Sequence, residues 1–164
     1  MAARQTGQCR LVLGAGVEPL SIYLNDHLAG STVGVNLARR LAGEQDTMHE
    51  LAAEIVQDRE TLLALMGRLG VRVDRVKVAL AKAAEQASRV KLGADRPLNR
   101  LEMLETLSLG VEGKLAMWEA LKRSRAGVRD VGAFDLDALI ARARSQRERL
   151  EGERMRAADA AFRG

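Results

Sequence analysis

Two arginines and two glutamates are spaced so that they could form ion pairs between two helices. In the last helical segment, Arg147 and Arg154 fall within the apolar stripe that a rotation of about 100° per residue predicts. In the segment before it, Glu105 and Glu112 border a similar stripe. Antiparallel packing would set Arg147 opposite Glu112 and Arg154 opposite Glu105. We expect buried pairs that fix the helix register, because removing one partner would leave an unpaired buried charge.

Three further polar residues are predicted to lie near these pairs. Asp58 falls within an apolar helical stripe, and a turn near residues 44–45 would set it opposite Ser31. His27 lies one helical turn away, and Ser31, Asp58, Glu112 and Arg147 should form one layer joined by charge-assisted hydrogen bonds. The complete predicted network is buried and contains seven residues: His27, Ser31, Asp58, Glu105, Glu112, Arg147 and Arg154.

A second interpretation of the same residues remains open. His27, Asp58 and Glu112 could bind a single metal ion or line a ligand pocket. The two arginines on the last helix count against a cluster of metal ions, because their positive charge would repel it. No nucleophile motif and no dinucleotide-binding motif is present, so no catalytic residue and no cofactor is predicted. An enzyme is therefore the less favoured class.

Basic residues in the middle of the chain form a candidate surface for an acidic partner. Arg75, Lys82 and Arg89 recur every seven residues on the outer face of a predicted helix, although such a face is usually only solvated. Lys and Arg number 26 against 22 Asp and Glu, a net charge of +4. This small excess is compatible with sequence-independent binding of nucleic acid without requiring it. An unidentified protein partner or self-association is favoured over nucleic acid.

Composition narrows the class of protein. A chain that is 47% hydrophobic but only 2% aromatic favours a core of packed helices over sheets. The single cysteine, Cys9, excludes an intramolecular disulfide and a cysteine-based zinc site. No apolar run is long enough to span a membrane, and the N-terminus does not have the pattern of a signal peptide. We therefore expect a cytoplasmic protein without a membrane partner.

Glycines, prolines and capping residues divide the chain into segments. Residues 1–18 are predicted to be a weakly structured lead-in, and residues 19–164 a single domain. Thr47 and Glu50 have the spacing of a capping box at the start of the second helix. The five predicted helices span residues 20–42, 47–69, 74–92, 97–124 and 135–162.

Two packing features are expected from this division. The third segment, residues 74–92, is long enough to return the chain from one end of a bundle to the other, and its apolar face should be buried: Val76, Leu80, Ala83 and Ala87. Four glycines on the first and fourth helices should let these helices approach closely: Gly30, Gly34, Gly110 and Gly113. The sequence therefore predicts an all-α four-helix bundle with up-down-down-up topology and a helical crossover.

This architecture, together with Leu24-Asn25-Asp26-His27-Leu28-Ala29-Gly30, resembles the ferritin-like superfamily, in particular its small bacterial members. Ferritin-like enzymes hold two metals with a Glu from each of two helices and Glu-x-x-His from the other two. Neither His27 nor His49 follows a Glu by three positions. The resemblance therefore implies a ferritin-like fold without the di-metal site, acting as a non-catalytic binding or assembly module. A divergent metal-binding protein or oxidoreductase is the alternative.

Overall fold

The computed structural model describes residues 17–81, 83, 96–124 and 131–163. Its four long helices are α1 (Val17–Glu44), α2 (His49–Arg68), α3 (Arg96–Arg123) and α4 (Leu136–Phe162). A 3-10 turn, Asp46–Met48, precedes α2, and residues 75–81 are also helical. No strand occurs in these described ranges, so the prediction of an all-α chain is confirmed. Of the predicted lead-in, residues 1–16 lie outside the described residues, whereas Val17 and Glu18 begin α1.

The start of α2 differs from the capping-box prediction. Thr47 lies in the 3-10 turn, and its hydroxyl donates to Glu153 Oε1 of α4 at 3.0 Å. The N-cap of α2 is Met48, which makes no side-chain capping bond. The predicted capping box is therefore wrong, because Thr47 binds a distant helix instead of capping its own.

The end of α2 is fixed by a glycine in the left-handed conformation. Gly70 has φ of 68°, and its N–H donates to the carbonyl of Gly67 at 3.2 Å. The next N–H, of Val71, donates to the carbonyl of Met66 at 2.9 Å. These two bonds form a Schellman motif, which satisfies carbonyls that the helix end would otherwise leave unpaired. A side chain with a Cβ would be strained at Gly70.

The core lies between the packed faces of the four helices. Helix α3 packs against α4, and α1 packs against both α2 and α3. One half of the core surrounds Leu41, Leu51 and Leu104, and the other surrounds Leu28 and Trp118. None of the helices in the described ranges has the length and apolarity needed to cross a bilayer.

Ion pairs between α3 and α4 occur in reverse order along the two helices. Toward the end of α3, Lys122 pairs with Asp137 near the start of α4. Toward the start of α3 the pairs Glu119–Arg144, Glu112–Arg147 and Glu105–Arg154 follow. Helices α3 and α4 are therefore antiparallel along most of their length, which sets the height at which each α4 side chain meets α3.

The segment that follows α2 is attached to α1. The side-chain oxygen of Asn25 accepts from the backbone N–H of Asp74 at 2.7 Å, and its nitrogen donates to the carbonyl of Arg72 at 3.0 Å. Lys77 pairs with Asp26 at 2.7 Å. These bonds hold the beginning of the connection between α2 and α3 against the first turns of α1.

The predicted apolar face of that connection is not buried where the structure describes it. Val76 is 68% exposed and Leu80 is 64% exposed, and Ala83 is exposed as well. Val78 packs on the core instead. The prediction is wrong for these positions because the Asn25 and Asp26 contacts turn residues 77 and 78 toward α1. Ala87 lies outside the described residues.

Candidate functional site

Asp58 is the centre of a buried polar cluster between α2, α3 and α4. Its side chain is 3% exposed and accepts hydrogen bonds from Lys114, Arg142 and Gln146. Gln146 is completely buried, accepts a bond from Lys114 and donates one to Glu54 at 2.9 Å. Two cationic side chains therefore compensate one buried carboxylate, so that its charge is not left unpaired in the core.

The pKa of Lys114 is shifted by its position in this cluster. Burial lowers the pKa of its ammonium, while the charge of Asp58 and the hydrogen bond to Asp58 oppose that decrease. The pair with Asp58 therefore offsets part of the cost of burying a lysine.

The cluster continues along α4, where Arg149 binds Glu54 and lies 3.6 Å from Glu50.

A second cluster surrounds Glu153 at the other end of α4. Its carboxylate is 9% exposed and contacts Arg156 at 2.7 Å, Thr47 at 3.0 Å and Arg100 at 3.2 Å. Burial raises the pKa of Glu153, but the hydrogen bonds from Arg156 and Thr47 and the charges of Arg156 and Arg100 together lower it. This cluster joins the beginnings of α2 and α3 to the end of α4.

The predicted arginine–glutamate pairs lie on the surface. Arg147 Nη1 is 3.0 Å from Glu112 Oε2, but the two side chains are 51% and 54% exposed. Arg154 Nη1 is 3.6 Å from Glu105 Oε1, and Arg154 also binds Glu151 at 2.8 Å. The expectation that these pairs are buried is therefore corrected, since three of the four side chains are about half exposed and that of Arg154 is partly exposed.

The predicted single layer of four polar residues does not form. Asp58 bonds to Lys114 and Arg142 rather than to Arg147 or Glu112. The Ser31 hydroxyl donates to the carbonyl of Leu28 in its own helix at 2.7 Å. Asp58 is therefore buried in a network as predicted, but with partners that the sequence analysis did not name.

His27 lies beside this cluster without joining it. Its ring meets that of Tyr23 edge to face, with ring centres 4.6 Å apart. Burial lowers the pKa of His27, and the charge of Asp26 opposes that shift. His27 is therefore a half-buried ring on α1 whose pKa lies below its ordinary value.

One missed partner of Asp58, Gln146, belongs to a stripe with heptad spacing. Eight positions of α4 are buried, and all of them except Ile140 advance alternately by three and four residues, at 136, 139, 143, 146, 150, 153 and 157. This spacing puts Gln146 and Glu153 in the buried stripe and leaves Arg147 and Arg154 one position aside. An ideal helix drifts by about 20° per heptad relative to such a spacing, so a uniform rotation misplaces the stripe on a long helix.

A cavity of about 170 Å³ lies beside the Asp58 cluster, between α1, α2 and α3. Most of its wall is apolar, with Leu62, Val111 and Trp118 among the lining residues. Ser31, Asp58 and Lys114 contribute polar groups, and His27 also lines it. Gly30 and Gly110 are both lining and exposed, so the cavity reaches the surface between α1 and α3.

Four glycines leave this space open rather than bringing two helices into contact. A Cβ at Gly30, Gly110 or Gly113 would have no heavy atom of a neighbouring element within 4 Å. A Cβ at Gly34 would meet only Leu107 Cδ1, at 3.9 Å. The predicted close helix approach is therefore wrong at Gly30, Gly110 and Gly113, and all four positions form part of the cavity wall.

The proposed metal ligands His27, Asp58 and Glu112 are not brought together. His27 and Asp58 line the cavity, whereas Glu112 lies on the surface with Arg147. Across the described ranges, no group of three or more His, Cys, Asp or Glu side chains has a metal-binding arrangement. The cavity also does not fit a di-metal centre, because both oxygens of Asp58 already accept bonds from cationic side chains.

The basic surface of the connection is described only in part. Arg75 is exposed at the start of its helical turn, and Lys82 and Arg89 lie outside the described residues. Binding of nucleic acid or an acidic partner through these three residues therefore stays a prediction.

Comparison with known proteins gave no relative. No family model, no curated protein and no solved structure matches the chain. The ferritin-like resemblance therefore stays a prediction. The geometry of the Asp58 cluster and of the cavity next to it is the basis on which a function can be proposed.

Proposed function

We propose that this protein is a non-catalytic binding module with ferritin-like architecture, in which an ion-paired cluster stands in place of a di-metal centre. The observation that carries the proposal is the engagement of Asp58 by Lys114 and Arg142. A carboxylate bridged by two cationic side chains has no electrostatic reason to recruit a metal ion. The cavity beside Asp58 is the site at which such a module would bind its ligand.

The up-down-down-up arrangement is supported by which helix ends meet. Glu44 and Thr47, at the junction of α1 and α2, lie with Arg100 and Glu153, at the start of α3 and near the end of α4. At the other end, Asn25 of α1 holds the chain just after α2. Helices α2 and α3 would then run in the same direction, and the chain between them would form the crossover.

Metal analysis tests the proposal. Protein purified without chelator, then incubated with iron or manganese and desalted, should retain far less than one metal ion per chain. The Asp58→Asn variant should give the same result, and Glu112→Gln is the matched control because it removes a surface carboxylate. Stoichiometric metal that is lost in Asp58→Asn but kept in Glu112→Gln would refute the proposal and support the metal-binding alternative.

A further inference from the structure

The cavity between α1, α2 and α3 has the size of a small ring compound. It has a volume of about 170 Å³ and opens to the surface between α1 and α3. A cavity of about 150 Å³ lined by apolar side chains stays dry and takes up benzene in another protein. Leu62, Leu107, Val111, Met117 and Trp118 supply comparable walls here. A flat apolar group of about six to nine heavy atoms therefore fits.

Trp118 lies directly behind the apolar wall of the cavity. The side chain is completely buried, and its indole Nε1 has no hydrogen-bond partner in the described part of the chain. Because a water-sized group does not reach this N–H, Trp118 contributes apolar wall rather than a hydrogen bond to a ligand.

Two cationic groups lie at the same cavity. The ammonium of Lys114 has three N–H donors and uses two of them, for Asp58 and Gln146. The Arg59 side chain lines the cavity and makes no ion pair with any residue that the structure describes. Asp26, the other acid of the wall, is paired with Lys77, and Asp58 is paired with Lys114 and Arg142. The unpaired charge at the cavity is therefore positive.

From these observations we propose that the cavity binds a small monocarboxylate with a flat apolar body, an aromatic carboxylate being the best fit. The ring occupies the apolar space that the glycines of α1 and α3 leave open. The carboxylate accepts from the free N–H of Lys114, and Arg59 neutralises its remaining charge. This inference rests on the proposed function as a binding module.

Benzoate is the probe, and the fluorescence of Trp118 measures its binding. Trp118 is the only tryptophan of the chain, so its fluorescence responds directly to a ligand in this space. Titration with benzoate should change the emission saturably, with one site per chain by calorimetry. Benzyl alcohol has a similar ring without the charge, and it should bind at least about tenfold more weakly because it forms no charge-assisted bonds. Equal affinity for the two compounds would refute the carboxylate assignment.

A leucine placed in the cavity provides the steric test. Gly113→Leu directs a side chain into the open space, and it should fold normally because leucine is a better helix former than glycine. Benzoate binding should fall below detection. Gly43→Leu is the matched control, because Gly43 is a helical glycine with equally open surroundings that does not line the cavity. Unchanged binding in Gly113→Leu would overturn the proposal.

A milder substitution tests the contact with the carboxylate. Arg59→Gln removes the positive charge and should weaken benzoate binding by about tenfold without changing the affinity for benzyl alcohol. If Arg59→Gln binds both probes as the unchanged protein does, the assignment of the carboxylate end is wrong.

The benzoate experiments and the metal analysis test different proposals, and either can fail without the other. Stoichiometric metal in the same preparation would refute the proposed function, whatever benzoate does. A metal-free protein that does not bind benzoate would refute only the ligand assignment and leave the binding-module proposal in place.

Discussion

Replacing Asp58 by asparagine should expose the difference between the buried cluster and the surface ion pairs. Asp58→Asn keeps the size of the side chain but removes its charge. Lys114, whose side chain is 15% exposed, then loses its counter-charge in the core. Breaking a buried pair in this way costs about 3–5 kcal/mol, because one charge is left uncompensated. A domain of this size has a total stability of about 5–15 kcal/mol, so the loss is a large share of it.

Urea unfolding followed by circular dichroism measures the effect. With a slope of about 2 kcal/mol per molar, the expected loss lowers the urea midpoint by about 1.5–2.5 M. Glu112→Gln is the matched control. It breaks a pair whose side chains are both about half exposed, and solvent screening should leave the midpoint nearly unchanged.

A double variant tests the cause of the loss. Asp58→Asn with Lys114→Met removes both the carboxylate and the ammonium that it compensates, so at least half of the lost stability should return. The reasoning would be refuted if Asp58→Asn cost no more than Glu112→Gln. Strictly additive losses in the double variant would refute the direct coupling of Asp58 to Lys114.

Three further perturbations have defined outcomes. Because the pKa of Glu153 lies below its ordinary value of about 4.5, its stabilisation is present above that pH and is lost as pH falls through the folded-state pKa. Glu153→Gln should therefore be less stable than the unchanged protein at neutral pH, and acid unfolding curves should converge below about pH 4.5. Asn25→Ala should speed amide exchange at Asp74, whose N–H it binds, whereas the exposed Thr61→Ala should not. Asp135→Ala removes the cap on the Ala138 N–H and should cost about 1 kcal/mol in thermal unfolding.

The long helices could be predicted from local signals. Asp135 caps α4, as its position before an apolar stripe indicates, and Gly70 ends α2 through the left-handed conformation that glycine adopts most easily. Both signals act over a few residues of chain. The Thr47 prediction was wrong because a carboxylate on α4 competes for its hydroxyl, and local sequence does not contain that contact.

The register of α3 against α4 could also be predicted, but whether the ion pairs between the two helices are buried could not. The spacing of Glu112 and Arg147 depends only on the position of the turn between the helices. Whether a side chain points inward depends on the small drift between a 3.6-residue turn and a heptad, which accumulates along a helix of 27 residues. That drift moves Gln146 into the core and Arg147 to the surface.

The cavity could not be predicted, because glycines in helices have opposite structural consequences. Gly30 and Gly113 let helices pack closely when the opposing side chains fill the space, and they leave a gap when those side chains do not. Which outcome occurs depends on how the side chains of the neighbouring helices pack, and the local sequence around a glycine does not contain that information.

Lys114 links the buried cluster to the cavity. Asp58 and Gln146 each accept one of its N–H bonds, so the ammonium is fixed in place before any ligand arrives. A lysine on the surface would lose about 2 kcal/mol of rotamer entropy when it bound an anion, and Lys114 has already lost it in the folded protein. A buried polar cluster usually adds little net stability, since the desolvation of its charges offsets their attraction. The contribution of this cluster therefore lies less in the free energy of folding than in holding one donor still at the wall of the cavity.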